Sequence, residues 1–302
     1  MAIYNLGSMN IDYVYDVDHI LAGGETLIAG GRRIAAGGKG LNQSIAAARS
    51  GAETHHAGCM GQGGEMLLEM LKDSGVRTEL LVPCDLPQGH TFIQVDKNGQ
   101  NSILVYSGSN YAIGREQIDA LTDSAPAGSY LLLQNEISNL GYALEAAKRK
   151  KLRVVLNASP ITEDLLHLDL QDLEWISINE IECAALGGCE SVEESFETLK
   201  KRFSRTGILL TLGSDGCVCW KDGREYRQSA CDVRPVDTTA AGDSFTGFFI
   251  SCLVAGRDIA SSLRLASAAA AIAVSRPGAA PSIPVMEEVL RLEPEMKLRK
   301  NP

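Results

Sequence analysis

Val236-Asp237-Thr238-Thr239-Ala240-Ala241-Gly242-Asp243-Ser244-Phe245 carries the chain from a polar segment into a long apolar run at residues 244–255. The run reads as a buried helix, which puts Ala241, Gly242 and Asp243 in its first turn. Four backbone N–H groups at such a start have no partner within the helix. With the helix dipole they make a site for anions. Gly242 has no side chain, so a ligand can come close to the backbone. Asp243 sets a carboxylate beside the same site. An acid next to an anion site is repulsive unless some chemistry requires both. Phosphoryl transfer does: it needs a base for the attacking hydroxyl and donors for the phosphate charge. Taken alone, the stretch also reads as a capped, Ala-rich core helix with an incidental acid.

Outward from this stretch, strands alternate with helices. Strands are expected at residues 130–134, 153–156, 175–178 and 207–212, and helices at 139–151 and 179–186. A second Ala-rich helix is expected at 261–275. That alternation implies an α/β fold with a mostly parallel, doubly wound sheet between two helical layers. Segments 217–220 and 225–228 flank Asp222-Gly223, a hairpin signal at the sheet edge. The strand at 207–212 ends in Gly213-Ser214-Asp215-Gly216.

The amino-terminal third reads differently. A short strand at 3–6 is followed by Gly7-Ser8, then Asn10 and Asp12. Polar residues after a first strand lie where open α/β sheets bind ligands, or they form an Asx turn. Extended pairs at 13–17 with 26–35, and at 91–96 with 102–106, lack crossover helices. They should form a small antiparallel sheet, built from about 13–35 and 90–107, that projects as a lid. Between them, Ala36-Gly37-Gly38-Lys39-Gly40-Leu41-Asn42-Gln43 precedes a helical run at 44–50. Gly40 after Lys39 rules out a Walker A loop, and the spacing is not G-x-G-x-x-G. The stretch is either a ligand-binding loop or a tight strand–helix turn. No linker breaks residues 1–302, which read as a single domain. The last residues, 297–302, are expected to fray.

A 45% hydrophobic content supports a large core, and a net charge of −10 disfavours nucleic acid and anionic membrane surfaces as partners. No run is long enough to span a membrane, and Met1 to Leu6 lacks the pattern of a secretory signal. Eight cysteines without a C-x-x-C pair suit reduced thiols in the cytoplasm.

Together these motifs resemble the ribokinase branch of the PfkB carbohydrate kinase family. The resemblance rests on Gly37-Gly38-Lys39-Gly40-Leu41-Asn42, on Asp237 to Asp243, and on Gly7-Ser8-Met9-Asn10-Ile11-Asp12. Asn179-Glu180-Ile181-Glu182, Thr211 to Gly216 and the segment 268–281 add to it. It implies a ribokinase-like three-layer fold with a small β lid that often clasps another lid to make a homodimer. It implies an ATP-dependent sugar kinase with D-ribose as first acceptor; deoxyribose, a fructose-like sugar or a nucleoside are the alternatives. A catalytically silent sugar-binding protein is the rival from another class, and Asp243 beside an intact anion site argues against it.

The resemblance also implies roles. Asn10, Asp12, Gly38, Lys39, Gly40, Leu41, Asn42 and Glu136 would bind the sugar. Asp243 would be the general base, with Ala241, Gly242 and Asp243 amides as the anion hole. Asn179, Thr211, Leu212, Gly213, Ser214, Asp215, Gly216 and Ser267 would line the ATP side. Glu182 would reach Mg²⁺ through water, although Asn179-x-x-Glu182 also reads as a helix capping box. Oxygens of Asp237, Thr239, Ala273, Arg276, Gly278 and Ser282 would hold K⁺, although Arg276-Pro277-Gly278 also reads as a turn. Leu41, Ser267, Gln94 and Tyr106 depart from the branch's usual residues, which bears on the choice of sugar.

Overall fold

The computed structural model describes residues 1–299. In chain order its strands are β1 (Ile3–Leu6), β2 (Asn10–Val17), β3 (Gly31–Gly37), β4 (Thr54–Gln62), β5 (Arg77–Pro87), β6 (His90–Asp96), β7 (Asn101–Tyr106), β8 (Tyr130–Gln134), β9 (Arg153–Asn157), β10 (Trp175–Ile178), β11 (Gly207–Thr211), β12 (Cys217–Lys221) and β13 (Arg224–Gln228). Its helices are α1 (Lys39–Arg49), α2 (Glu65–Asp73), α3 (Arg115–Ser124), α4 (Leu140–Arg149), α5 (Glu163–Leu166), α6 (Glu180–Gly187), α7 (Val192–Arg202), α8 (Ala241–Val254), α9 (Ile259–Val274) and α10 (Met286–Leu292).

The main sheet has nine strands in the order β13-β12-β11-β10-β9-β8-β1-β4-β5. From β11 to β5 every pair is parallel; β12 and β13 add an antiparallel edge. Asp222 and Gly223 close that edge with positive φ (50° and 78°), as an Asp-Gly hairpin requires. Alternate side chains of each strand enter opposite cores. Ile3, Leu132, Val155 and Leu209 face a core filled by α1, α8 and α9 residues such as Ile45, Phe249 and Ile272. Leu6, Leu133, Leu156 and Leu210 face one filled by Ile118 of α3, Leu144 of α4, Cys183 of α6 and Leu199 of α7. This is the expected three-layer arrangement: both faces of a parallel sheet must be covered, so its central strands, such as β8 to β11, are mostly apolar.

The smaller sheet has the order β3-β2-β6-β7. Its two outer pairs are antiparallel as expected, while the central pair, β2 with β6, is parallel. Three boundaries differ from the sequence reading. Residues 26–30 form no strand, and pairing on β2 begins at Gly31. α1 starts at Lys39, because Gly38 takes φ 95° and turns the chain directly into the helix. The expected fraying holds for none of residues 297–299: Leu298 pairs with Cys231, and Arg299 N donates to Ala230 O. Residues 300–302 lie outside the described residues.

Candidate active site

α8 begins where the sequence places it, and its first turn is open. Ala240 precedes it with φ 60°, a left-handed geometry that costs a non-glycine residue about 1–2 kcal/mol. Ala241 N donates to Thr238 O (3.3 Å) and Ser244 N to Ala240 O (2.8 Å). Among the described residues, the amides of Gly242 and Asp243 have no acceptor. A Cβ built on Gly242 would meet nothing within 4 Å, and Gly242 lines the cavities that meet here. Asp243 is 8% exposed. Its Oδ2 accepts from Asn42 Nδ2 (3.0 Å) and its Oδ1 from Gln43 Nε2 (2.9 Å). α1, starting at Lys39, thus presents two consecutive amides to the acid of α8.

Two cavities meet at this helix start and share Thr211, Thr238, Ala241 and Gly242. The first, about 340 Å³, is mostly apolar and runs between Val233, Pro235, Phe245, Ala270, Val274 and the loop Gly213–Gly216. A flat, largely apolar group such as a nucleobase suits it. Ser267 lines it, as expected, but Leu212 and Asp215 do not: Leu212 packs on the opposite core. The second, about 220 Å³, is polar and holds Lys39, Asn157, Ser159, Ser177, Asn179, Glu182 and Asp243. Burial works against the charge of Lys39, yet Asp243, Glu136 and Glu182 hold its ammonium above the usual lysine value. It is therefore a fixed positive charge in an acidic protein, beside the free amides of α8.

On the other side of Asp243 lie the expected sugar ligands. Asn42 Oδ1 is buried without a partner among the described residues, an acceptor in want of a hydroxyl. Asp12 is 8% exposed and accepts from Thr91 Oγ1 (2.7 Å). Burial pushes its carboxyl up to about 6, against the Thr91 bond and with help from the charge of Glu136. Asn10 Oδ1 accepts from Asn110 Nδ2 (2.7 Å), which leaves its own amide N–H groups for a ligand. Glu136 Oε2 accepts from Ser8 Oγ and from Lys39 N (3.1 Å). The glycines make this closeness possible. A Cβ at Gly37 would lie 2.0 Å from Asp12 Oδ2, and one at Gly40 would lie 2.4 Å from Ser8 N. Leu41 corrects the sequence reading: its side chain is fully buried in the core and its amide is used by Ser8 O (2.8 Å), so it packs rather than binds.

Asn179 and Glu182 form the capping box that the sequence allowed. Asn179 N donates to Glu182 Oε2 (2.6 Å), and Asn179 Oδ1 accepts from Ile181 N and Glu182 N. The same Glu182 lines the polar cavity, so one carboxylate oxygen caps α6 while the other remains for a hydrated cation. Asp237 ties the loop before α8 to the segment after α9. Its Oδ1 accepts from Thr239 N (2.9 Å) and Thr239 Oγ1 (2.6 Å), its Oδ2 from Gly278 N (3.0 Å). Arg276 points its guanidinium at Glu288, which neutralises it and leaves the backbone of that segment to supply oxygens. Ser282 Oγ donates to Ala279 O (2.7 Å) and so faces its own turn.

Sequence reasoning missed Gln43 as a partner of the acid, and Asn157, Ser159 and Ser177 in the polar cavity. It also missed the apolar ring of the larger cavity, whose residues carry no motif.

The sequence model of the family described as pfkB family carbohydrate kinase matches residues 3–286. The chain is 34% identical over 297 residues to a ribokinase of Haemophilus influenzae, covering 94% of this chain and 96% of that one. The ribokinase of Cryptococcus neoformans, solved in complex with ADP, superposes with a TM-score of 0.83 at 30% identity, covering 96% of this chain and 99% of that one. The Arabidopsis thaliana ribokinase complexed with ribose and ATP gives 0.82 at 30% identity, covering 97% and 99%.

Proposed function

The chain belongs to the pfkB family of carbohydrate kinases and is an ATP-dependent sugar kinase, and from that premise we propose that its acceptor is D-ribose, phosphorylated at the 5-hydroxyl. The relatives named above as ribokinases, one with ribose and ATP bound, support that choice. The observation that carries it is the buried Asp243 carboxylate between an unpartnered Asn42 oxygen and two free helix amides. Asp12 and Asn10 suit a polyhydroxy ligand: a carboxylate accepts from two neighbouring hydroxyls, and an amide donates to a third.

In the proposed step the sugar 5-hydroxyl loses its proton to Asp243. Its oxygen bonds the γ-phosphorus of ATP, and the bond to the β–γ bridging oxygen breaks with its electron pair leaving on ADP. Gly242 and Asp243 N–H groups stabilise the charge on the transferred group, with Lys39 as a fixed cation; the Ala241 amide, expected beside them, is already taken by Thr238 O. The nucleotide base lies in the apolar cavity beside Ser267, and the phosphates in the polar one beside Asn179. Mg²⁺, when bound with the phosphates, would neutralise part of their charge, and Glu182 would hold it through water. Oxygens of Asp237, Thr239, Ala273, Arg276, Gly278 and Ser282 would hold K⁺, which would supply positive charge to this end of the site.

The lid, residues 13–35 and 90–107, covers the sugar and joins two copies of the chain. Ile34, Tyr13, Phe92 and Leu104 form one row across its four strands. Ile34, Phe92 and Leu104 are 49%, 43% and 69% exposed, an apolar face that a second lid would cover. Eight free thiols and a need for ATP fit a reducing cytoplasm.

A panel of pentoses, hexoses and nucleosides, assayed with ATP and Mg²⁺ with and without K⁺, tests the reading. D-Ribose should give the highest kcat/KM, and K⁺ should raise it; a hexose or nucleoside ahead of ribose overturns the acceptor. Asp243→Asn should lose about 10²- to 10⁴-fold in kcat while sugar affinity stays within a few fold. Turnover near that of the parent would remove Asp243 from the chemistry.

A further inference from the structure

Three buried amides lead away from the acid. Gln43 Nε2 lies 2.9 Å from Asp243 Oδ1; Gln43 Oε1 lies 2.9 Å from Gln134 Nε2, which also lies 2.9 Å from Asn5 Oδ1. Asn5 Nδ2 lies 2.8 Å from Gly40 O and 2.8 Å from Ser44 Oγ. Asn5 and Gln134 are fully buried and Gln43 is 1% exposed. They come from β1, β8 and α1, so no local motif joins them.

The two ends of an amide are told apart by their partners. Here one partner settles the whole chain, because the Gly40 carbonyl can only accept. The Asn5 atom facing it is therefore the NH₂, and Asn5 presents its oxygen to Gln134. Gln134 must donate there, and its NH₂ has a second hydrogen for Gln43. Gln43 then presents its oxygen to Gln134 and its NH₂ to Asp243. This direction leaves Gln134 Oε1 without a partner among the described residues, which a reversed chain would not relieve without opposing two acceptors.

We infer that Gln43 is a positioning residue for the base: held through Gln134 and Asn5, it pins Oδ1 of Asp243 as an acceptor and leaves Oδ2 to take the sugar's proton. The inference rests on the kinase reading above. Asn42, the donor to Oδ2, is held differently. It stands on the sugar side with its own oxygen unpartnered, so its bond can be exchanged when hydroxyls arrive. The Gln43 bond cannot rotate away without breaking the bonds behind it. Thus the hydroxyl proton goes to Oδ2 as the sugar oxygen bonds phosphorus, and Oδ1 stays fixed throughout.

Lys39 of α1 and Glu182 of α6 share the polar cavity with Asp243, Glu136 after β8 acts on Lys39, and all three remain in the variants that test this. Gln43→Met keeps the length of the side chain and removes both donor and acceptor. Gln43→Glu keeps the shape and turns the donor into an acceptor. Gln134→Met removes the brace one step further back, without touching Asp243. Each is compared with the parent for melting temperature, ribose Kd by calorimetry, and kcat against pH. Gln43→Met should lose about tenfold to a hundredfold in kcat with ribose Kd nearly unchanged. Its acidic limb should move to higher pH, because the ionised base has lost a donor. Gln43→Glu should move the limb further, and Gln134→Met less. A limb that stays in place, or kcat and Kd that worsen together, makes Gln43 a structural residue and overturns the inference. Asp243→Asn separates the two readings. If it keeps turnover, base and relay fall together; if it abolishes turnover while the Gln43 variants behave like the parent, only the relay falls.

Discussion

Asp12→Asn separates what a buried carboxylate does to the fold from what it does for the ligand. In the folded chain the Asp12 carboxyl is raised from 3.8 to about 6, mainly by burial, with Glu136 adding to the rise and Thr91 opposing it. Two units correspond to about 3 kcal/mol. The native state binds the proton more tightly than the unfolded chain. The stability this gives is therefore complete below pH 4 and is lost as pH rises through 6. Asn has nearly the same shape and does not ionise, so the variant escapes the loss. By urea unfolding at a series of pH values, its advantage over the parent should widen by about 1.5 kcal/mol between pH 5 and pH 8. Any fixed cost of the new NH₂ is the same at each pH and leaves that slope alone. Function should move the other way. A hydrogen bond to a charged group contributes about 1.5–3 kcal/mol, so ribose should bind the variant roughly tenfold to a hundredfold more weakly. In the parent, ribose affinity should fall as pH drops below about 6, the value to which Asp12 is raised. A stability gap that does not change with pH, or one that narrows as pH rises, refutes the reasoning.

Gly242→Ala adds a methyl group where nothing lies within 4 Å, in space shared by both cavities. Urea stability should hold or rise by about 1 kcal/mol, since Ala is the better helix residue. The KM for ATP should nevertheless rise and kcat fall, in a steady-state assay with saturating ribose; unchanged ATP kinetics would show that no phosphate approaches that backbone. Leu104→Arg places a charge in the exposed row of the lid. Sedimentation should show the parent as a dimer and the variant as a monomer, with the melting temperature of the isolated chain little altered. A parent that stays monomeric at high concentration removes the lid as an interface.

How much of this was legible follows from how local each feature is. Ala241 to Asp243 could be placed because a polar segment entering an apolar run marks a helix start by itself. Asn42 was expected near a ligand because the glycines beside it mark close backbone approach, and Asp12 because it follows the first strand, where open α/β sheets bind ligands. Gln43 could not, since its partners Asn5 and Gln134 sit in strands that look wholly structural and meet it only in the folded sheet. The ring of Val233, Pro235, Ala270 and Val274 was equally silent: in sequence such residues are indistinguishable from core. Leu41 was assigned to the sugar because it stands among ligands, but on a helix beginning at Lys39 its side chain turns inward. The parallel pairing of β2 with β6 was hidden for a similar reason, because it joins strands that are far apart in the chain.

The geometry of the base is in the end a matter of helix packing. Asn42 and Gln43 ride on α1, and Asp243 rides on α8. Their hydrogen bonds near 3 Å require the two helices to approach closely. Gly247, one turn beyond Asp243 on α8, is what permits this. A Cβ there would lie 2.5 Å from Ala46 Cβ and 3.0 Å from Ala47 N, so the helices touch backbone to backbone. Small residues at a crossing bring helix axes nearer than bulky ones do. At the start of α1, Gly40 lies against Gly7 and Ser8, where the Cβ it lacks would be 2.4–2.6 Å from their backbone. α1 is therefore fixed by two contacts that admit no side chain, one to the turn after β1 and one to α8. Asn42 and Gln43 lie between them, and the two glycine-rich stretches act as one structural unit whose product is the position of a single carboxylate.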